Sequence, residues 1–549
     1  MSKFNSTKVS GPTEVNFMGE KAYALSDKEK LTVLTMTTFL SDSYYMRQTD
    51  VVKNILNLVD TVGYEFAAKL AIYARTVGNM RSVSHLIASR VCRNETHPEW
   101  MKSFYNSIVV RPDDISEILC CYAHLNGIDL TKSFKKIPNS MKKGFRKALE
   151  RLSPYQIDKY KMSSKTLSLV DLVNLLHPHP TAKNAEAYRL LMHGESLSGT
   201  YDAKIFEKEM TAAGQNADGC DVNVLKHDAI VSVLKGGMPI MNLLRNLKNI
   251  ALYAPDQIDI AIEQLTNEDK ILHSKLLPFR FTSAYDAVNK LSLTDYTQSD
   301  VTDDIVFESE YTSMTDSKLD KIKTKLLKAL EMAMTISCKN VPDLDGNCAI
   351  LIDHSGSVRG YGYGSSKVSP WSMVNTAMIG NLFGAITAFK QKNVYVGMFG
   401  DELIPVKMDR DMGILEFNKK SYDDGYMCGG ATENGLYTFL KSVISQKKNI
   451  DNFIIFSDME IGDGGSGGWD RTSRSDTSFK KLFSEFRKIN PHCLTVCCNI
   501  CGRSGTSVFN PNLNLLNISG WSNSIFDLIS MYKSGKIKSM TEEIEKIVL

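Results

Sequence analysis

The sequence predicts a multidomain chain in which a region of helical repeats precedes a doubly wound α/β domain. From about residue 26 to residue 290 the apolar residues follow a helical period, with almost no alternating strand pattern. From residue 347 to residue 532, apolar runs alternate with helical patterns, which predicts βαβ units and an open parallel sheet. A chain of 549 residues is also long enough for more than one core.

The elements of the α/β domain follow from this alternation. The strands are predicted at 349–353, 394–399, 403–407, 453–457, 493–499 and 513–518. The helices are predicted at 371–389, 433–445, 478–488 and 524–532. Cysteines at 493, 497, 498 and 501 match no standard zinc-finger spacing, so we interpret them as core residues of a strand rather than as metal ligands.

The first half contains short helical patterns joined by brief polar segments, which indicates stacked helical pairs of the solenoid type. They are predicted at 51–62, 65–77, 83–92, 98–109, 115–125, 139–152, 169–176, 184–193, 204–212, 222–234, 238–247, 255–265 and 273–277. An acidic, Ser/Thr-rich stretch at 295–320 is typical of a linker. A helix at 318–338 then leads into the first strand.

Oxygen-bearing side chains follow two of the predicted strands. Asp353, Ser355 and Ser357 come at the end of the first strand, and Asp458 ends the strand at 453–457. Thr432 precedes a predicted helix. Ligands of doubly wound sheets bind beyond the carboxyl ends of the strands, and hard divalent cations prefer oxygen ligands. A bound Mg²⁺, or another divalent cation such as Mn²⁺, is one interpretation; loop-capping residues at strand ends are the other.

These five residues, in this order, resemble the metal-ion-dependent adhesion site (MIDAS) of von Willebrand factor A domains. The resemblance covers residues 347–532 and implies that Asp353, Ser355, Ser357, Thr432 and Asp458 contact the metal directly or through water. It also implies an open coordination position for an acidic group of a partner protein.

Positive charge is concentrated between residues 132 and 165, where eleven basic side chains meet only two acidic ones. This segment has a net charge of +9 in a chain of +3 overall. Such a segment is typical of a nucleic-acid interface, although a solvated helix face is the ordinary alternative. Lys142, Lys143 and Lys147 lie on one predicted helix, and the nearby Tyr155 and Tyr160 offer rings that could stack on bases.

Several motifs resemble the TROVE module of the Ro autoantigen family. They lie at 66–75 with 80–83, at 159–161 with 169–177, and at 237–240 with 243–247. The family joins a ring of HEAT-like helical repeats to a von Willebrand A domain, in the order predicted here. The resemblance implies binding of small structured RNAs, including Y RNAs, and of single-stranded 3′ ends of misfolded RNAs in the central hole.

The family's RNA-contacting positions correspond to Lys159 and His177. Residues 162–166 depart from the usual Gln, Arg and aromatic residue, so Lys161 or Lys165 could supply the basic contact, and whether Y RNA is the ligand stays open. His177 is otherwise a helix-terminal residue before a proline. Arg245 either forms a structural salt bridge or faces the hole. The predicted RNA-binding set is therefore Lys142, Lys143, Lys147, Lys159, Lys161, Lys165, His177 and Arg245.

The predicted domains are a TROVE-like helical domain at 1–290, an acidic linker and connecting helix at 291–345, a von Willebrand A-like domain at 346–535 and a C-terminal tail or helix at 536–549. No apolar run approaches the length of a membrane span, and the cysteines show no disulfide spacing. We therefore expect a cytoplasmic ribonucleoprotein that contacts neither membrane nor DNA.

The predicted function is non-catalytic RNA binding, with the metal site serving partner docking or stability. One alternative is a protein-interaction scaffold that binds an acidic partner at the metal. The other is a magnesium-dependent phosphohydrolase with Asp353 as nucleophile; such enzymes usually carry a second Asp two residues later, where this chain has Ser355.

Overall fold

The computed structural model describes most of the chain, in two compact units. The described residues are 11–16, 19–40, 46–96, 98–130, 136–163, 166–195, 210, 222–292, 315–360, 366–368, 372–430, 433–462, 478–501, 505–511 and 513–549. One unit comprises residues 1–149 and 340–549, and the other comprises residues 150–339. The predicted helical domain at 1–290 is therefore divided between them, and the predicted domain boundaries stay a prediction.

The first unit begins with short strands and then consecutive helices. The strands are β1 (Glu14–Val15) and β2 (Lys21–Ala24). The helices are α1 (Asp27–Met36), α2 (Gln48–Val62), α3 (Tyr64–Thr76), α4 (Ser82–Val91), α5 (Trp100–Ser107), α6 (Pro112–Asn126) and α7 (Asn139–Glu150). Helix α1 was not predicted, because Leu31–Met36 are all buried and give no amphipathic pattern.

Buried charges join α3, α4 and α6. The Asp114 carboxylate accepts hydrogen bonds from the Arg75 guanidinium at 2.9 Å, and it lies 3.2 Å from Arg81 Nε. His85 Nε2 is 3.0 Å from Asp114 Oδ1. Arg75 and Arg81 therefore form structural salt bridges with Asp114.

The second unit is helical throughout its described residues. Its helices are α8 (Pro154–Lys159), α9 (Leu169–Leu176), α10 (Ala185–His193), α11 (Val222–Gly236), α12 (Ile240–Tyr253), α13 (Ile258–Leu265), α14 (Glu268–Ser274), α15 (Phe279–Asn289) and α16 (Asp316–Ser337). Helices α8 and α15 were not predicted, although Ser153 and Gln156 form a capping box at the start of α8. The predicted helix at 204–212 and the acidic stretch before residue 315 lie outside the described residues.

The α/β part of the first unit contains six strands in one sheet. They are β3 (Asn347–Asp353), β4 (Asn393–Phe399), β5 (Leu403–Val406), β6 (Asn452–Ser457), β7 (Leu494–Asn499) and, after the short β8 (Thr506–Ser507), β9 (Leu515–Ser519). Their order is β5-β4-β3-β6-β7-β9, and only β5 is antiparallel to its neighbour. This is the order of a doubly wound Rossmann-like sheet, as predicted.

Helices accompany this sheet. They are α17 (Gly356–Arg359), α18 (Thr376–Lys390), α19 (Ile414–Asp424), α20 (Glu433–Ser445), α21 (Phe479–Ile489), α22 (Ser524–Lys533) and α23 (Met540–Glu545). The four predicted helices are present, and α19 was missed. The central strands β3, β6 and β7 are almost wholly buried, including Cys497 and Cys498, which supports a core role for these thiols.

Strand β2 pairs with β1 and β8 in a separate small sheet. The described cysteines form no disulfide. Within the described part of the chain, none of the helices has the length and apolar character needed to cross a membrane.

Candidate functional site

The candidate metal site lies where the strand order of the large sheet reverses. Strands β3 and β6 are parallel neighbours, and the connections leave them in opposite directions along the sheet. Asp353 is the last residue of β3, and Asp458 follows the last residue of β6. The topology therefore brings both carboxylates to the same edge of the sheet.

Hydrogen bonds hold the two carboxylates and the following loop in place. Asp353 accepts from the Ser355 backbone N–H at 2.8 Å and from the Ser457 hydroxyl at 2.6 Å. The Ser357 hydroxyl donates to Asp458 at 2.6 Å and lies 3.1 Å from the Ser355 hydroxyl. Four of the five predicted ligands are thus brought together; the fifth, Thr432, lies outside the described residues.

The electrostatics of this cluster are those of two buried carboxylates that lie close together. Asp353 and Asp458 are fully buried. Burial and the nearby Asp458 carboxylate raise the pKa of Asp353 to about 7. No described basic side chain forms an ion pair with Asp353. A divalent cation between the carboxylates would remove this repulsion, so the donor set fits the implied metal.

The remaining donors of the cluster are hydroxyl groups. Among the residues that the structure describes, no three His, Cys, Asp or Glu side chains come together as a metal-binding group. Two carboxylates, Ser355 and Ser357 therefore make a sparse oxygen shell that leaves room for water. Such a shell is typical of Mg²⁺ and does not resemble the nitrogen and sulfur sites of zinc.

A buried polar network behind the metal loop was not predicted from the sequence. His354 Nε2 lies 3.0 Å from the Asn381 side-chain oxygen, and the Asn381 amide donates to Asn418 and Ser421 of α19. Burial, and then the charge of Arg359, lower the pKa of His354 to about 3. The network ties the loop after β3 to α18 and α19, and a single His between two loop residues gives no sequence signal for it.

The loop that carries Gly430, just before the predicted ligand Thr432, is the second metal loop. Backbone contacts attach it to the first metal loop, which follows β3. The Gly356 N–H donates to the Gly430 carbonyl at 2.9 Å, and the Gly430 N–H donates to Asp401 at 2.8 Å. Gly425 packs so closely on the His354 ring that a Cβ atom there would overlap it. Glycine is therefore required at residue 425 for the two loops to meet.

The predicted basic helix presents two of its lysines to solvent. Lys143 and Lys147 of α7 are exposed one turn apart, whereas Lys142 is half-buried. The opposite face packs on α5. Gly144 lies so close to this helix that a Cβ atom there would overlap Tyr105 and the Lys102 carbonyl oxygen. Residue 144 must be small for α7 and α5 to approach each other this closely. This packing determines which face of α7 is exposed.

Three predicted RNA-binding residues of the second unit are Lys159, Lys161 and Lys165, and the first two differ in their contacts. The Lys159 ammonium donates to the Tyr155 hydroxyl at 2.9 Å and lies over the Tyr155 and Tyr160 rings at 5.1 and 5.5 Å. Lys161 pairs with Asp158 at 3.1 Å and donates to the Glu195 carbonyl. Lys165 lies outside the described residues.

His177 and Arg245 are both exposed. His177 ends α9 in the left-handed region, with φ of 46°, and its N–H donates to the Val173 carbonyl. Arg245 projects from α12 while Leu244 and Leu247 are buried, as predicted. No salt bridge to Arg245 exists among the described residues, and the role of this arginine stays a prediction.

Comparisons with known proteins agree with this fold. The sequence model of the TROVE domain matches residues 228–346. Telomerase protein component 1 of Rattus norvegicus is 21% identical over 303 residues, and that of Mus musculus is 21% identical over 294 residues. Each alignment covers 41% of this chain but 11% of the relative, so the chain spans about a tenth of the length of these curated relatives.

The crystal structure of the Deinococcus radiodurans Ro protein (RSR) is similar to the whole fold. The TM-score is 0.51 and the identity 12%, and the alignment covers 93% of this chain and 100% of that chain. At this identity the similarity concerns the fold. The predicted resemblance to the Ro family is therefore confirmed, because the chain carries a TROVE-domain match and has the fold of a Ro protein.

Proposed function

We propose that this protein is a non-catalytic, cytoplasmic RNA-binding protein of the Ro type whose ligands are small structured RNAs. The observation that carries the proposal is the TROVE-domain match at residues 228–346, within a chain that has the Ro fold. The exposed basic residues of α7 and α12, together with the half-buried Lys159 of α8, support it, because phosphate neutralisation by Lys and Arg supplies much of the affinity of RNA-binding proteins.

The details of the surface suggest how each residue takes part. Lys143 and Lys147 are exposed and suit contacts with phosphates. Lys159 with Tyr155, a residue that is 45% exposed, combines a charge with a stacking surface for an unpaired base. Lys161 already forms an ion pair with Asp158, so we assign it a smaller contribution to the affinity for RNA. Single-stranded 3′ ends are the second class of ligand that we propose, with Arg245 as one contact.

The metal site has a separate proposed role. Asp353, Ser355, Ser357, Thr432 and Asp458 would hold Mg²⁺ or Mn²⁺, which would neutralise the buried carboxylates and stabilise the α/β domain. We assign the metal a role in binding an acidic group of a partner and no catalytic role. Ser355 and Ser357 orient the loop, and the His354–Asn381 network holds it against α18 and α19.

One observation favours the scaffold function as a second candidate. Tyr426 and Met427, in the turn that leads to the second metal loop, are 66% and 71% exposed. The Arg359 guanidinium lies 6.0 Å from the Tyr426 ring, which places this ring close to the first metal loop. Apolar side chains beside a metal with an open position would suit a protein partner that offers a carboxylate next to an apolar residue.

The test of the proposed function uses charge reversal on α7. Replacing Lys142, Lys143 and Lys147 together by Glu should weaken binding of a structured RNA hairpin. It should also reduce the slope of log affinity against log salt by about 0.9 for each lost phosphate contact. Fluorescence anisotropy at several salt concentrations measures both quantities, and a DNA duplex of the same sequence provides the comparison ligand.

A matched control changes the same charge elsewhere in the same unit. Lys441, Lys447 and Lys448 are exposed at the end of α20 and beyond it, and the triple Glu variant there should bind RNA as the wild type does. Equal losses in both variants would show a general charge effect and exclude α7 from the interface. Absence of RNA binding by the wild-type protein would favour the scaffold function.

A further inference from the structure

Two arginines of the second unit lie on helices that pack against each other. Arg245 is in the middle of α12, and Arg280 is in the first turn of α15. Both residues are exposed, while the leucines beside Arg245 and the phenylalanines beside Arg280 are buried. The packing of these apolar residues fixes the two helices and directs both guanidinium groups to the surface.

Neither guanidinium is neutralised by the described residues of the protein. Neither has a hydrogen bond or an ion pair there, and the contact that Arg280 makes is with the Phe279 ring, 5.1 Å away. Helix α12 contains no Asp or Glu, and the first turn of α15 contains no acidic residue. By contrast, Lys325 of the same unit is paired with Asp259 at 2.8 Å.

Three features of its surroundings disfavour the positive charge of Arg280. Partial burial, and then the charge of Arg245, lower the pKa of Arg280. The N-terminus of an α-helix carries a partial positive charge that disfavours a cation in the first turn. The residue before α15, Pro278, caps no backbone N–H with its side chain. An oxyanion at this position would relieve all three unfavourable interactions.

We propose that Arg245 and Arg280 together form a binding site for a phosphodiester group of single-stranded RNA. The inference rests on the proposed RNA-binding function and names a subsite of it. Guanidinium groups bind phosphate oxygens through paired N–H donors, and two of them can hold one phosphate from two sides. A backbone contact of this kind positions a strand without reading its bases. Both arginines lie inside the segment that matches the TROVE domain.

The first experiment measures binding of a 5′-labelled oligouridine by anisotropy. Arg245→Ala and Arg280→Ala should each weaken binding about tenfold. Each should also reduce the salt slope by about 0.7 per lost contact. Because both residues would hold one phosphate, the double variant should lose less than the product of the single losses. Arg280→Lys should recover part of the affinity, since it keeps the charge but not the planar donor pair.

Arg189→Ala is the matched control, because Arg189 is an exposed arginine of the same unit that is already paired with Glu186 at 2.7 Å. It should bind oligouridine as the wild type does. A wild type that binds RNA, with unchanged affinity and salt slope in Arg245→Ala and Arg280→Ala, would overturn the site while leaving the proposed function in place. Equal losses in all three alanine variants would also overturn it.

A second measurement separates the RNA phosphodiester from a free oxyanion. Inorganic phosphate, compared with chloride at equal ionic strength, should raise the melting temperature of the wild type and leave the double alanine variant unchanged. If phosphate has this effect but oligouridine does not bind, the site takes a free oxyanion and the RNA assignment is refuted. If neither ligand distinguishes wild type from double variant, the inference fails entirely.

Discussion

Asp114 and Asp353 are both fully buried aspartates, but their surroundings are opposite. Burial alone would raise the pKa of Asp114, yet the hydrogen bond with His85 and the charge of Arg75 outweigh it and hold the pKa well below its usual range. Burial and the neighbouring Asp458 instead raise the pKa of Asp353 to about 7. The difference separates a carboxylate whose charge neighbouring arginines compensate from one that lies beside a second carboxylate.

The hydrogen bonds of the two aspartates show the same contrast. Asp114 accepts from Arg75, and its Oδ2 atom also accepts from the Val110 and Arg111 backbone N–H groups at 2.9 Å each. Asp353 accepts from a backbone N–H and from the Ser457 hydroxyl, all neutral donors. These neutral donors hold the Asp353 carboxylate in place without compensating its negative charge.

The largest effect is expected from Asp114→Asn. This change leaves Arg75, Arg81 and His85 around a neutral side chain, and removing one partner of a buried ion pair costs about 3–5 kcal/mol. Urea unfolding measures the loss. Asp113→Asn is the control: Asp113 pairs with the more exposed Arg81 and Arg111, so its loss should be smaller.

The pH dependence of unfolding tests the same prediction. Because the folded pKa of Asp114 is depressed, its contribution is present above the unfolded value of about 3.9 and is lost as pH falls through the folded pKa. Asp114→Asn should therefore flatten the decline in stability below about pH 5. Parallel acid profiles of wild type and variant would contradict the assignment.

A smaller effect on stability is expected from Asp353→Asn, and the sign of this effect depends on whether divalent cations are present. Without divalent cations the variant should be at least as stable as the wild type, because one of two buried like charges is gone. A ligand at one hundred times its Kd stabilises a protein by about 2.7 kcal/mol, and this gain should disappear in the variant. Thermal melts with Mg²⁺ and with EDTA measure it, and Asp458→Asn should behave alike.

The control for the metal prediction is Asp345→Asn, since Asp345 is an exposed partner of Lys533. It should keep the full response to Mg²⁺. An undiminished response in Asp353→Asn would refute the metal site.

The smallest effect is expected from Gly425→Ala, which changes no ligand. The added methyl group would overlap the His354 ring and push the loops apart, and overpacking of this kind costs about 1–3 kcal/mol. Calorimetric titration should show weaker Mg²⁺ binding than in the wild type. Gly430→Ala, where a Cβ meets nothing within 4 Å, is the control. Equal metal affinity in both variants would exclude a role for the His354 contact in holding the site.

The sequence by itself determined the class of fold and the strand ends. All six strands of the large sheet were predicted, because buried parallel strands are continuous apolar runs bounded by loops. Asp353 and Asp458 could be assigned to one edge because parallel strands end at the same side. Helices α1, α8, α15 and α19 were missed, and α1 has no amphipathic period to detect.

Only the tertiary structure decided which charges are neutralised. Arg75, Arg81 and Arg245 look alike in the sequence, yet the first two meet Asp114 while Arg245 has a second arginine, Arg280, on the neighbouring helix. Likewise Asp114 and Asp353 differ through partners that are close in space but distant along the chain. The periodicity of apolar residues in a sequence indicates which side chains are buried. Electrostatic energy instead depends on the distances between charged side chains, and these distances are set by tertiary packing.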